Sequence, residues 1–239
     1  MAKVSDADAK EFVAKKKELG IDPIYFHASY LINFADGGSG GHMSRQSLIA
    51  EMKVAEKIGA RGSIVHLGSF KLKDGEEPSA AAYATLIKNI KTVLKETPKS
   101  VLFMIENAGS RKIGRSLDEI ARIVKDVGDK RVRVCLDTCH LHVAGYDLRT
   151  PAKFDEFLKY LDKIIGLEKL ELFHLNDSRD PFGSLRDRHE NVCQGFVGKK
   201  VFEQLLNDPR TKNLPFISEA PGFDDNGPDR KNLEIIKNL

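Results

Sequence analysis

The sequence predicts an α/β fold, a parallel barrel of the TIM (β/α)8 type, from two observations. Short β-rich apolar runs alternate with amphipathic helical stretches along the chain, the pattern of parallel strands joined by crossover helices. Nine side chains able to bind metal, His27, His66, Glu106, Asp137, His140, His174, Asp187, His189 and Glu219, fall at or just after the ends of those runs. A barrel's strand ends converge on one face, so a ligand or ligand pair at each end, repeated, describes a buried metal cluster and hence an enzyme.

In chain order the predicted strands are IYFHA (24 to 28), SIVHL (63 to 67), VLFMI (101 to 105), VRVCL (132 to 136), LELFH (170 to 174) and PFISE (215 to 219). Helices are predicted at 5 to 18, 44 to 59, 79 to 96, 116 to 127, 151 to 165, 198 to 208 and 229 to 237. Start signals support several: Ser44, Ser116 with Glu119 three residues on, and Pro151 after Thr150. The count is six strands, and no candidate precedes residue 24, so the first β-α-β portion of an eight-stranded barrel reads as missing. GGSGGH (37 to 42) lacks the Lys-Ser/Thr ending of a phosphate loop and reads as a flexible surface loop. KKK (15 to 17) reads as a solvated helix face.

At 239 residues and 41% apolar content the chain can bury one sizeable core, so residues 1 to 239 read as a single domain. A net charge of +3 from 38 basic and 35 acidic residues excludes polyanion binding by bulk charge and makes any such site local. Cys135, Cys139 and Cys193 lack zinc-ribbon spacing and read as reduced thiols. No membrane-length apolar run is present, and MAKVSDADAK lacks the apolar stretch of a signal peptide, so an intracellular, cytoplasmic protein is expected, nuclear if the source is eukaryotic.

A lone histidine at a strand end is more often a packing residue than a ligand, and only the joint pattern reverses that judgement. Catalytic zinc takes about three protein ligands, so five histidines and four carboxylates can hold two or three ions if some bridge. Nitrogen and oxygen donors favour Zn²⁺, or Mn²⁺ at some positions, over an iron-sulfur cluster. In DRH (187 to 189), alternate residues of an extended segment point the same way and can chelate one ion, with Arg188 facing elsewhere. His42 and His142 are left outside the ligand set.

HASYLIN (27 to 33), HLGS (66 to 69), IENAG (105 to 109), CLDTCHLHVAGYDLRT (135 to 150), HLNDS (174 to 178), FGSLRDRHENV (182 to 192) and SEAPG (218 to 222) resemble, in order, the successive motifs of the endonuclease IV family of apurinic/apyrimidinic endonucleases. That resemblance implies a xylose-isomerase-like TIM barrel with three zinc ions. His27 and His66 would hold the first, with Glu106 bridging to a second completed by Asp137, His174 and Glu219. His140, Asp187 and His189 would hold the third. It also implies base excision repair of double-stranded DNA: hydrolysis 5′ to an abasic site, leaving a 3′-hydroxyl and a 5′-deoxyribose phosphate, with Glu106 and Glu219 central to the chemistry. Tyr30 and Leu31 resemble the family's DNA-inserting loop, and Arg186 and Arg188, with Arg111 and Arg115, are candidate phosphate contacts.

This chain departs from the family pattern at two motifs. The family's ENTAG is one residue shorter in IENAG, which would shift the loop after Glu106. Cys193-Gln194-Gly195 stands where the family has Gly-Glu-Gly, one carboxylate fewer. Two rival readings follow: a sugar isomerase or epimerase on the related barrel, and a weakly active paralogue that binds DNA or a partner and completes its barrel by association.

Overall fold

The computed structural model describes residues 2–73 and 76–239. The chain divides into two compact units, residues 1–106 with 122–133, and residues 107–121 with 134–239. In order the elements are α1 (Asp6–Glu18), β1 (Tyr25–His27), α2 (Ser39–Ile58), β2 (Gly62–Val65), α3 (Ala80–Glu96), β3 (Leu102–Glu106), α4 (Leu117–Val127) and β4 (Val132–Asp137). They continue with α5 (Thr138–Ala144), α6 (Pro151–Ile164), β5 (Leu170–His174), β6 (Asp177–Ser178), β7 (His189–Glu190), α7 (Lys199–Asn207), β8 (Phe216–Ile217) and α8 (Arg230–Lys237). The six predicted parallel strands are β1 to β5 and β8, each within two residues of its expected ends.

In the first unit β1, β2 and β3 pair in parallel, with His27 opposite Ile64 and Val65 opposite Ile105. Helix α2 buries Leu48, Ile49, Met52, Ala55 and Ile58, the 3.6-residue stripe of one helical face. Phe34, Ile64, Leu86, Ile90 and Phe103 of the same unit are also buried, and each fully buried side chain of this size contributes roughly 1.5–3 kcal/mol. Gly62 is dictated by this pairing, because a Cβ there would lie 2.2 Å from the Leu102 carbonyl oxygen. Arg131, 4% exposed, turns its charge to use by pairing with Asp129 at 2.9 Å and donating to the Leu94 carbonyl in the last turn of α3 and to the Pro98 carbonyl beyond it at 3.0 Å.

Two sequence expectations in this unit need correction. Ser39–His42 is not a flexible loop but the first turn of α2, and Ser44 lies inside that helix rather than at its start. The Ser44 hydroxyl donates to the Gly40 carbonyl at 2.8 Å and accepts from the Asn33 amide at 2.9 Å, tying the turn to the segment after β1. The glycines are there for close approach: a Cβ on Gly41 would lie 1.8 Å from the Asp36 carbonyl oxygen. Of KKK, Lys16 is no solvated charge, since it donates to the Gly59 carbonyl at 2.8 Å and to Asp22 at 2.9 Å.

In the second unit β4, β5 and β8 pair in parallel in that order, bringing Asp137 opposite His174 and His174 opposite Ile217. Phe173 and Phe216 stack with centroids 5.7 Å apart on the same sheet. Helix α6 begins as predicted, with Thr150 accepting from the Lys153 amide and Pro151 in the first turn, and buries Phe154, Phe157, Leu158 and Leu161. Not expected were the short helix α5 and the antiparallel pair of β6 and β7, which sets Ser178 opposite His189. Cys193 takes φ +64°, a backbone conformation that glycine adopts without strain. Among the described residues no helix is long and apolar enough to cross a membrane.

Candidate metal centre

In the first unit parallel pairing puts three donor-bearing strand ends side by side, His27 ending β1, His66 directly following β2 and Glu106 ending β3. Glu106 is fully buried, and its Oε2 lies 2.9 Å from His27 Nε2 and 3.2 Å from His66 Nε2. His27 Nδ1 lies 3.0 Å from the Ala28 carbonyl oxygen. A carbonyl only accepts, so Nδ1 carries a proton, and Nε2 is the ring atom turned toward the carboxylate. Two electron-rich atoms so placed are stabilised by a positive charge, either a proton on the ring or a cation shared by the group.

The second unit carries two more groups. Asp137, His174 and Glu219 each offer a donor atom within 4.8 Å of the others'. His174 Nδ1 lies 3.3 Å from Glu219 Oε2 and 4.0 Å from Asp137 Oδ2. His140, Asp187 and His189 form the third group, with His140 Nε2 2.9 Å from Asp187 Oδ1 and the two imidazole centroids 5.6 Å apart. His140 Nδ1 donates to the Asn107 carbonyl at 2.9 Å, which leaves Nε2 as the ring atom facing Asp187. His189 Nε2 is buried without a hydrogen bond, yet lies 3.5 Å from Asp137 Oδ2 and 3.6 Å from Asp187 Oδ1. An imidazole nitrogen set between two carboxylates with no hydrogen bond to either is what cation ligands look like, and the residues fit divalent ions.

Helix α5 builds much of this geometry. Asp137 caps it, Oδ1 accepting from the His140 amide at 3.0 Å, so a single carboxylate fixes the helix start and presents its other oxygen to the group. Cys139 sits in the same turn beside Asp137 and His189, but burial first and then Asp137 push its thiol far above the ordinary range. It donates to the Arg188 carbonyl at 3.7 Å and is a thiol rather than a thiolate ligand. Burial likewise pushes Cys193 up to about 11. The donor set is therefore nitrogen and oxygen.

Tyr30 and Leu31 stand 81% and 75% exposed on the turn after β1, while Ile32 and Phe34 beside them are buried and anchor it. Arg188 does face away from Asp187 and His189: it makes two 2.7 Å bonds to Asp180. Arg186 is 71% exposed and only 3.7 Å from the same carboxylate. Arg111, Arg115 and His42 are exposed, whereas His142 is buried with its ring edge-on to Phe182.

Sequence reasoning missed three residues that shape the groups. Asn107, directly after Glu106, accepts from the Asp137 amide at 2.7 Å through Oδ1 while its carbonyl holds His140. Asn176, two residues after His174, contacts both Asp137 and Glu219. Asp177 is no ligand: it accepts from the backbone amides of Ser178, Gly195 and Val197 at 2.8, 3.0 and 2.9 Å and pins the loop that follows His189. The available signal was position, an amide or acid within three residues of a ligand at a strand end.

A family model described as a xylose isomerase-like TIM barrel matches residues 1–239. The chain is 36% identical to a probable endonuclease 4 of Persephonella marina, with 98% of this chain and 82% of that relative covered. It is 37% identical to a probable endonuclease 4 of Halothermothrix orenii, over 99% of this chain and 84% of that one. The structure is similar to that of endonuclease IV from Thermus thermophilus, with a TM-score of 0.84 and 30% identity over 99% of this chain and 82% of that chain. A D-tagatose 3-epimerase-like protein, at 19% identity and a TM-score of 0.70 over 98% of this chain and 82% of that one, shares the fold alone. Matched along its length by the family model and by relatives above 30% identity, the chain belongs to the endonuclease IV family of xylose isomerase-like TIM barrels.

Proposed function

We propose that the protein is a zinc-dependent apurinic/apyrimidinic endonuclease of base excision repair, which hydrolyses the phosphodiester 5′ to an abasic site and leaves a 3′-hydroxyl and a 5′-deoxyribose phosphate. The observation that carries this reading is the donor chemistry: nine nitrogen and oxygen ligands in three groups, in a chain whose relatives are named endonuclease 4. His27, His66 and Glu106 would hold one zinc, Asp137, His174 and Glu219 a second, and His140, Asp187 and His189 a third. Zinc bound there supplies charge neutralisation of the phosphate, hydroxide at neutral pH and stabilisation of the leaving alkoxide.

The chain's own residues set the conditions for that chemistry. The Nδ1 bonds of His27 and His140 to backbone carbonyls fix which nitrogen ligates. Glu219 is 35% exposed where Asp137 and His174 are buried, so a phosphate reaches that group on the Glu219 side. An abasic nucleotide leaves the duplex with little stacking or pairing to lose, and Tyr30 and Leu31 are exposed enough to fill the gap. Of Arg186 and Arg188, Arg186 is the less committed to Asp180.

Incubating the zinc-replete protein with a duplex carrying one tetrahydrofuran residue tests the reading, and the expected product is a single cut 5′ to the analogue. A folded, zinc-replete protein that binds this duplex without cutting it would overturn the assignment. Metal analysis separates the sugar isomerase or epimerase reading, because about three zinc ions per chain exceed the one or two divalent ions of such an enzyme.

A further inference from the structure

We infer that Asn176 is a positioning residue for the ion held by Asp137, His174 and Glu219, an inference that rests on the metal-dependent reading above. Asn176 is fully buried. Its Nδ2 donates to Asp137 Oδ2 at 2.6 Å and reaches Glu219 Oε2 at 3.4 Å, while its Oδ1 accepts from the Glu219 backbone amide at 2.7 Å. Both carboxylates need a donor and the amide needs an acceptor, so only one orientation of the carboxamide satisfies all three contacts.

The backbone of Asn176 is equally constrained. Its amide donates to Thr138 Oγ1 at 2.9 Å, and that hydroxyl donates to the Asn176 carbonyl at 2.6 Å. Thr138 is the first residue of α5, directly after Asp137, so the residue that orients Asp137 is itself held by the residue next to Asp137. One carboxamide thereby spans two ligands from different strand ends, engages one oxygen of each, and fixes the direction of the lone pairs that remain. Two buried or half-buried carboxylates at this spacing repel, and a neutral donor shared between them lowers that cost without competing for the ion as a cationic side chain would. His174, on the strand between those of Asp137 and Glu219, is thus met by carboxylates whose positions are set in advance of metal.

The test loads wild type and Asn176→Ala with zinc, titrates each with a competing chelator and counts retained zinc by atomic spectroscopy, with circular dichroism of the metal-free proteins as the fold control. Wild type should release its ions in one pattern. In the variant one ion per chain should leave at about 10–100-fold lower chelator concentration while the rest are unmoved, as expected when a group that orients ligands is lost. The visible spectrum of the Co²⁺-substituted variant should change as well, which a purely structural role would not cause. If Asn176→Ala does not fold, Asn176→Ser, whose hydroxyl is too short to span both carboxylates, carries the same comparison. Release curves and spectra that superimpose on wild type overturn the inference and leave the endonuclease reading standing. A folded wild type that takes up no zinc overturns the metal-dependent reading itself.

Discussion

Gly109 packs against the imidazole of His140 so closely that a Cβ added at residue 109 would lie 3.0 Å from His140 Cδ2 and 2.8 Å from Val143 Cγ2. The glycine of IENAG is therefore a packing requirement of a donor side chain on a different element. Gly109→Ala should destabilise the fold by about 1–3 kcal/mol through overpacking and should tilt His140 away from Asp187. Urea denaturation measures the first effect. Zinc retention under chelator, lower than wild type by one ion, measures the second.

Glu219 contributes to its group in two separable ways, through the carboxylate near His174 and through the backbone amide bound by Asn176. Glu219→Gln keeps the backbone bond and the side-chain shape but removes the negative charge. Incision of a tetrahydrofuran duplex should fall by more than the roughly 100-fold upper end expected for loss of a residue outside the ligand set. The thermal melting temperature of the metal-free protein should stay close to wild type. Unchanged incision would remove Glu219 from the site.

Burial pushes the Glu51 carboxyl above its ordinary range, partly opposed by the hydroxyl of Ser63, which donates to it, and by the nearby His27. A raised folded-state pKa means that the folded protein holds the proton more tightly than the unfolded chain. The penalty is absent below the unfolded value near 4.5 and grows above it until pH has passed the folded value. Glu51→Gln keeps an acceptor for Ser63 and removes the charge. Its urea midpoint should exceed wild type at pH 7, with the gap closing toward pH 4.

Cys193 occupies φ +64°, where a side chain is strained and glycine is not. Cys193→Gly should gain about 1 kcal/mol from relief of that strain, partly offset by the greater freedom of glycine in the unfolded chain. Chemical denaturation under reducing conditions reads the difference, and Cys193→Ala, which retains the strain, should show none of the gain.

Arg188 is committed to Asp180 by two short bonds, and Arg186 touches the same carboxylate only at 3.7 Å. Arg186→Ala should weaken binding of abasic duplex and lower the slope of log affinity against log salt by about 1, the mark of one lost phosphate contact. Arg188→Ala should leave that slope unchanged. Fluorescence anisotropy across a salt series distinguishes the two.

How much of this was readable in advance follows from the range of the forces involved. The six parallel strands and the donors at their ends were visible because apolar runs and helical stripes are local periodicities, and a donor at the end of such a run needs no further information to be noticed. The helical turn at Ser39–His42 was not, because glycine is a poor helix former, and what holds that turn is close packing on Asp36 and the bonds of Ser44. Helix α5 escaped notice because two turns of helix, capped by Asp137, are too short to show a period.

The sequence by itself determined the parallel α/β class, the nitrogen and oxygen donors and, through ordered motifs, the family to which the chain belongs. Tertiary structure decided which atom of each donor side chain faces its neighbours and what holds it still. Asn176 lies 39 residues from Asp137 and 43 from Glu219, and nothing local in the chain says that one carboxamide will meet both. Hydrogen bonds are directional over a few tenths of an ångström, so such a clamp exists only once strand register and helix start have been set.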